Sequence, residues 1–412
     1  MLIKIVLCLS FIVYVSSEPI KYDNYCLYKL HPESDNHLDY LNELNSEDGV
    51  DFWKLPTRAG DYASMVLSPE KRDEVEHSLK KRSLAYYVMM ENIQQAFDEQ
   101  IMSRRKRDAG EMYWTNYQTL DDINDWFHHL ARTYSDIVSI INLGKSHEGR
   151  EIIGVKISRG TTGRAFFING GQIAADWLSP TVVTYLVNQL VLGEDPEALA
   201  ASREFEWHIF PVINPDGYEY TQNAERLWLK NRRPVSNAIG VDLSKNWNSH
   251  WGINGGSFTP SAGNYIGIGP FSEPETRRAS NYIESIGSKL VGLLSFGGFG
   301  QRFLIPYAHT TQHLQNYNEM MTIGRRAMGS LSVRYNTRYQ VGTSMEVHDG
   351  ATGSIADWVK FRFNPPVAAT YLLRDEGGWG YTLPVNQVLP TCEETFDSVM
   401  AIIREAKFIN VL

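Results

Sequence analysis

Residues Arg164 to Asn169 form a short apolar run, Gly170-Gly171-Gln172-Ile173-Ala174-Ala175-Asp176-Trp177 follows, and Ser179 to Gly193 is a long segment with amphipathic helical character. A buried strand, a glycine-rich turn and a helix in succession commit this part of the chain to an α/β fold, with backbone close to a ligand where the strand ends. The turn therefore marks a candidate site.

At 412 residues, 43% hydrophobic and 12% aromatic, the chain can build a large core and more than one domain. Met1 to Ser17 reads as a secretory signal: Lys4 precedes the apolar run Ile5 to Val15, and Ser16 and Ser17 precede Glu18. No later stretch reaches the roughly 18 to 20 uninterrupted apolar residues of a membrane span. A soluble, secreted protein is expected. The net charge of −9 argues against nucleic acid or an anionic membrane as partner. Of three cysteines, Cys8 lies in the signal, and Cys26 and Cys392 would have to pair across two domains, so no disulfide framework is expected. No Asn-x-Ser/Thr acceptor occurs.

Residues 22 to 100 alternate strand-like and helical runs: Tyr25 to Leu30, Pro32 to Leu44, Val50 to Leu55, Tyr62 to Leu67, Pro69 to Lys81 and Leu84 to Met90. This β-α-β-β-α-β order suits a small α+β open sandwich with helices on one face. Arg104-Arg105-Lys106-Arg107 then reads as a proprotein-convertase site with cleavage after Arg107. The expected division is 1–17 signal peptide, 18–107 pro-segment and 108–412 main domain.

Beyond the basic cluster, Ile123, Phe127 and Leu130 recur at helical spacing within Asp121 to Tyr134. Strands are expected at Ile137 to Asn142, Glu151 to Ile157, Trp207 to Ile213 and Leu290 to Phe296, and Asn214-Pro215-Asp216-Gly217 reads as a turn. Buried strands alternating with helices imply a mixed sheet covered on both faces. His147 at a hairpin tip is a poor metal ligand, His208 reads as a core histidine with a backbone partner, and His309 and His313 read as surface residues despite their i, i+4 spacing.

The turn, Gly144 to Arg150, Arg226 to Arg232, Gly240 to Trp247, Ala351-Thr352-Gly353 with Asp357-Trp358, Arg374-Asp375 and Glu394-Thr395 together resemble the secreted zinc metallocarboxypeptidases of the carboxypeptidase A/B type. The resemblance runs from about residue 25 to the end. It implies an eight-stranded mixed sheet in the main domain and an activation-type pro-segment.

It also implies where the chemistry of that family would lie. The two zinc ligands of its Gly-x-His-x-x-Glu-Trp-x-Ser-Pro turn correspond to Ile173 and Asp176, and the third to Gly297. The general-base position holds Leu372, the oxyanion arginine position Leu229, and a second arginine position Ala175. The Asn-Arg pair that clamps a substrate carboxylate corresponds to Ser244-Lys245, and the capping tyrosine to Asp349, beside His348. Zinc needs several fixed lone-pair donors, so no cofactor is expected. A zinc carboxypeptidase with an unusual site is the competing reading. The reading favoured by these replacements is a monomeric pseudopeptidase that binds a peptide or protein. Its centre is expected to be a largely apolar hollow, with Lys245, Ser244, Asp349 and Asp176 as residual ligand-binding groups. Peptides ending in an apolar residue would bind weakly, above roughly 10 μM.

Overall fold

The computed structural model describes residues 18–102, 111–160 and 163–412. The signal segment and the cleavage site at Arg107 lie outside the described residues. The first domain is a four-stranded antiparallel sheet of β1 (Cys26–His31), β2 (Val50–Lys54), β3 (Ala63–Leu67) and β4 (Ala85–Met90), in the order β2-β3-β1-β4. Helices Asp35–Leu44 and Arg72–Lys81 press Leu41, Leu44, Val75 and Leu79 onto Tyr28, Leu30, Met65 and Leu67. The open sandwich is as the alternation predicts. A further helix, Ile93–Met102, was not anticipated by that pattern. Its Ile93 and Phe97 join Tyr22, Leu27 and Trp53 against Leu227 and Phe299 of the main domain, so its apolar residues serve docking rather than the local sandwich.

The main domain contains β5 (Val138–Lys145), β6 (Glu151–Ile157), β7 (Ala165–Asn169), β8 (Glu206–Phe210), a short hairpin of β9 (Pro234–Val235) and β10 (Ala238–Ile239), then β11 (Leu290–Gly297), β12 (Arg302–Ile305), β13 (Gln340–Thr343) and β14 (Val367–Leu372). Eight of these form one mixed sheet in the order β13-β12-β14-β11-β7-β8-β6-β5. Its centre, β14-β11-β7-β8, is parallel. Every residue of β7 is buried: Phe166 and Ile168 point to one face and Phe167 to the other. Helices Leu120–Thr133, Leu178–Leu192, Tyr317–Tyr335 and Val388–Phe408 cover the first face, and Pro274–Ile286 and Ile355–Phe363 the second. Burial on both sides explains the near-continuous apolar runs of the parallel strands.

Two local expectations change. The segment after the glycine-rich turn is not amphipathic as a folded helix, because Leu178–Leu192 lies between the sheet and Val388–Phe408 and is buried almost all round. Asn214-Pro215-Asp216-Gly217 starts the helix Pro215–Asn223: the Asn214 side chain accepts from Gly217 N, and Pro215 occupies the first turn, where its missing N–H costs nothing.

One buried acid gives the fold a pH dependence. Glu275, in the first turn of Pro274–Ile286, accepts from His147 N (2.9 Å) and Asn231 Nδ2 (3.1 Å). Burial pushes its carboxyl pKa up to about 7. A raised folded-state pKa means tighter proton binding in the folded protein. The associated stability is present below the ordinary carboxylate range and is lost as pH rises through about 7. Denaturant titrations at pH 5.5 and pH 8.5 should differ by on the order of 2 kcal/mol from this group, and Glu275→Gln should remove that part. An unchanged difference in Glu275→Gln would place the pH dependence elsewhere.

Candidate functional site

The glycine-rich turn sits at the carboxyl ends of β7, β11 and β14. Gly171 has φ +57°, and a Cβ there would lie 2.8 Å from Pro211 O, so the close approach of these segments requires glycine. Gly297 and Leu372 are register partners on adjacent parallel strands. Ala174 N donates to Leu229 O (3.0 Å), which draws Leu229 to the turn, and the Ala175 carbonyl accepts from Arg226 Nη1 (2.8 Å). Ile173, Asp176, Leu229, Ser244, Lys245, Gly297, Asp349 and Leu372 thereby line one cavity of about 560 Å³. The residues singled out from the sequence do converge, whereas Ala175 is buried behind them. The hollow is mixed in character, not largely apolar: Asp242, Ser244, Lys245 and Asp349 face it beside Ile173, Leu229, Phe299 and Leu372.

Asp176 has a structural task. Oδ1 accepts from Ser179 N (3.0 Å), and Oδ2 accepts from Ser179 Oγ (2.5 Å) and Gly298 N (2.8 Å). The carboxylate ties the start of helix Leu178–Leu192 to the end of β11. It is 2% exposed, and burial raises its pKa. Both oxygens are occupied, so Asp176 is not available as a residual ligand-binding group without breaking these bonds.

Lys245 is also engaged. Its Nζ donates to Asp242 Oδ2 (2.7 Å), while Asp242 Oδ1 accepts from Ser244 N (3.0 Å) and Ser244 Oγ (2.6 Å). Burial opposes the ammonium charge, but Asp242 and Asp349 outweigh it and raise the Lys245 pKa. Asp242 was not among the residues selected from the sequence. Its acid-to-lysine spacing of three, in the 3-10 turn Leu243–Lys245, is the signal that could have found it.

Next to this cluster the two domains are locked together. Arg302 Nη1 donates to His348 Nδ1 (3.1 Å), and Arg302 Nη2 to Asp61 Oδ1 (3.2 Å), which also accepts from Lys54 Nζ (2.6 Å). A guanidinium only donates, so His348 Nδ1 must be the acceptor and its Nε2–H faces Asp349 Oδ1 at 3.4 Å. Burial and the Arg302 charge hold the His348 pKa below its usual range against the pull of Asp349. Thr57 Oγ1 donates to Asp349 O (2.8 Å), completing the contact from the first domain.

The remaining histidines and cysteines stand apart. His147 is exposed at its hairpin tip. His208 is buried, but its partner is the Tyr282 hydroxyl (Nδ1 to Oη 2.7 Å) rather than backbone, because its ring leaves the sheet toward helix Pro274–Ile286. His309 is half-buried and stacked on His250, and His313 is exposed and meets Glu346 at 2.8 Å. Parallel rings share no plane in which one ion could meet both lone pairs, so the first pair is not a chelate. Cys26 and Cys392 are free, buried thiols in different domains.

Comparison with known proteins matches the model described as zinc carboxypeptidase over residues 123–398, and the one described as carboxypeptidase activation peptide over 28–100. The chain belongs to the zinc carboxypeptidase family. It is 35% identical over 396 residues to zinc carboxypeptidase A 1 of Anopheles gambiae, covering 95% of this chain and 92% of that protein. It is 31% identical to zinc carboxypeptidase A 1 of Drosophila melanogaster, covering 96% and 95%. The structure of thrombin activatable fibrinolysis inhibitor superposes with a TM-score of 0.86 at 23% identity, covering 93% of this chain and 98% of that one.

The residues that the resemblance assigns to the ligand positions do not suit zinc. Ile173 and Gly297 have no donor side chain, and the Asp176 oxygens are taken. Among the described residues, no group of three or more His, Cys, Asp or Glu could hold a metal ion. No described helix is long and apolar enough to cross a membrane.

Proposed function

We propose that this chain is a secreted, monomeric, non-catalytic member of the zinc carboxypeptidase family that binds a peptide or protein partner, after or before convertase cleavage at Arg107. The observation that carries the reading is the convergence of Ile173, Gly297 and Leu372 with Leu229 around one cavity. These are the positions that the family resemblance assigns to metal, base and oxyanion support. Loss of a general base alone costs about 10²- to 10⁴-fold, and of an oxyanion donor about 10²- to 10³-fold. Ser244 and Asp349 remain on the wall as contacts for a ligand. Lys245, neutralised by Asp242, is a weak anchor for a carboxylate.

The expected result is that purified protein, equilibrated with zinc and dialysed, retains far less than one zinc per chain and leaves peptide C-termini untrimmed by mass spectrometry. Stoichiometric zinc together with chelator-sensitive trimming would establish the competing reading, an active enzyme with an unusual site. N-terminal sequencing of the secreted form should find a chain beginning at Asp108. A form beginning only near Glu18 would remove the processing step.

A further inference from the structure

The cavity is not made by the main domain alone. Residues 45–55 of the first domain, the turn after helix Asp35–Leu44 and the whole of β2, line it without interruption, together with Ile173, Leu229, Lys245 and Leu372 of the main domain. Side chains of a strand alternate between faces, so a wall formed by a sheet face would be touched by every second residue. An uninterrupted run means that the cavity meets the edge of β2. That edge is unpaired, since β2 ends the sheet and bonds only to β3.

Two further observations describe what would fit there. Trp53 is 8% exposed, its Cε3–Cζ3 edge packs on Gly380, and its Nε1–H, on the other edge of the indole, is buried with no hydrogen-bond partner among the described residues. A buried indole N–H normally finds an acceptor. The charges of the wall are unbalanced. Lys245 is matched by Asp242, Glu47 by Lys71, and Lys54 together with Arg302 by Asp61 and the neighbouring Asp349. Asp48 and Asp51 are exposed on the wall and form no ion pair among the described residues. The surplus is negative.

We propose that in the intact chain β2 and the cleft form one composite site that takes an extended peptide carrying basic side chains, paired to the free edge of β2. Strand addition uses the unmet backbone groups for affinity and alternate side chains for selection, and the volume lies within the range of about 300 to 1,000 Å³ typical of ligand pockets. The first domain is then part of a receptor surface and not merely a cover. This rests on the non-catalytic reading, because a peptide held there must survive.

The test uses the full chain with Arg104, Arg105, Lys106 and Arg107 replaced by alanine, so that the domains stay joined. The ligand is a hexapeptide alternating lysine and valine, acetylated and amidated, followed by calorimetry. Binding should be at least about tenfold weaker for the version with glutamate in place of lysine. It should also weaken about tenfold in Asp48→Asn/Asp51→Asn, with an unchanged melting curve, and when alternate peptide nitrogens are methylated. Equal binding of both peptides, indifference to the aspartate substitutions or to methylation, or no binding of the lysine peptide would each overturn the proposal. A free-acid version followed by mass spectrometry separates the two readings. Shortening of that peptide defeats the non-catalytic reading, whereas an intact but unbound peptide defeats only the composite site.

Discussion

Replacing Asp176 with alanine is expected to lower the stability of the main domain by about 3 to 5 kcal/mol. The side chain accepts from Ser179 N, Ser179 Oγ and Gly298 N at a site 2% exposed. Truncation leaves two buried N–H groups without acceptors and opens a small void at the junction of helix Leu178–Leu192 and β11. The hydroxyl can turn to another partner, but the amides cannot. Asp176→Asn should fall between wild type and alanine, because one amide oxygen can serve only part of the donor set and its NH₂ opposes the rest. Urea unfolding followed by circular dichroism measures the difference. A loss below about 1 kcal/mol in Asp176→Ala would mean that water replaces the carboxylate and that the junction is not held by it.

That residue also shows what could be read from the chain alone. The strand, turn and helix around it were legible because apolar burial and glycine punctuation are local signals, and the spacing of Ile123, Phe127 and Leu130 marks helix Leu120–Thr133 in the same way. The positions assigned through the resemblance were anchored by Trp177, Trp228, Asp242 and Asp357, which flank them in sequence. The new role of Asp176 was not, since nothing in sequence reports that Gly298, 122 residues away, donates to it. The same holds for Asp61 and Arg302, 241 residues apart. Contacts between domains depend on how two finished surfaces meet, and helix Ile93–Met102 was overlooked because its apolar stripe answers to the partner surface.

The last expectation concerns the metal. The triple variant Ile173→His/Asp176→Glu/Gly297→His should retain one zinc per chain under dialysis that leaves wild type without it, because it replaces one occupied carboxylate with three donors on converging segments. Space permits the change at position 297: a Cβ there would meet Leu372 Cδ2 at 3.9 Å and Tyr371 O at 4.0 Å, and nothing closer. Position 173 already carries a branched side chain on the cavity wall. The glutamate must reach one methylene beyond the present carboxylate and give up bonds to Ser179 and Gly298, so the variant should be less stable without metal and regain stability when zinc is added. Each single substitution should leave the metal content near the wild-type value, since one imidazole cannot hold the ion alone. Even the triple variant should not trim peptides, with Leu372 and Leu229 still at the positions that the resemblance assigns to base and oxyanion support. Elemental analysis and thermal melts with and without zinc read the outcome. A triple variant that takes up no metal would show that these three positions do not face a common point, which would remove the argument that their present residues account for the loss of a metal site.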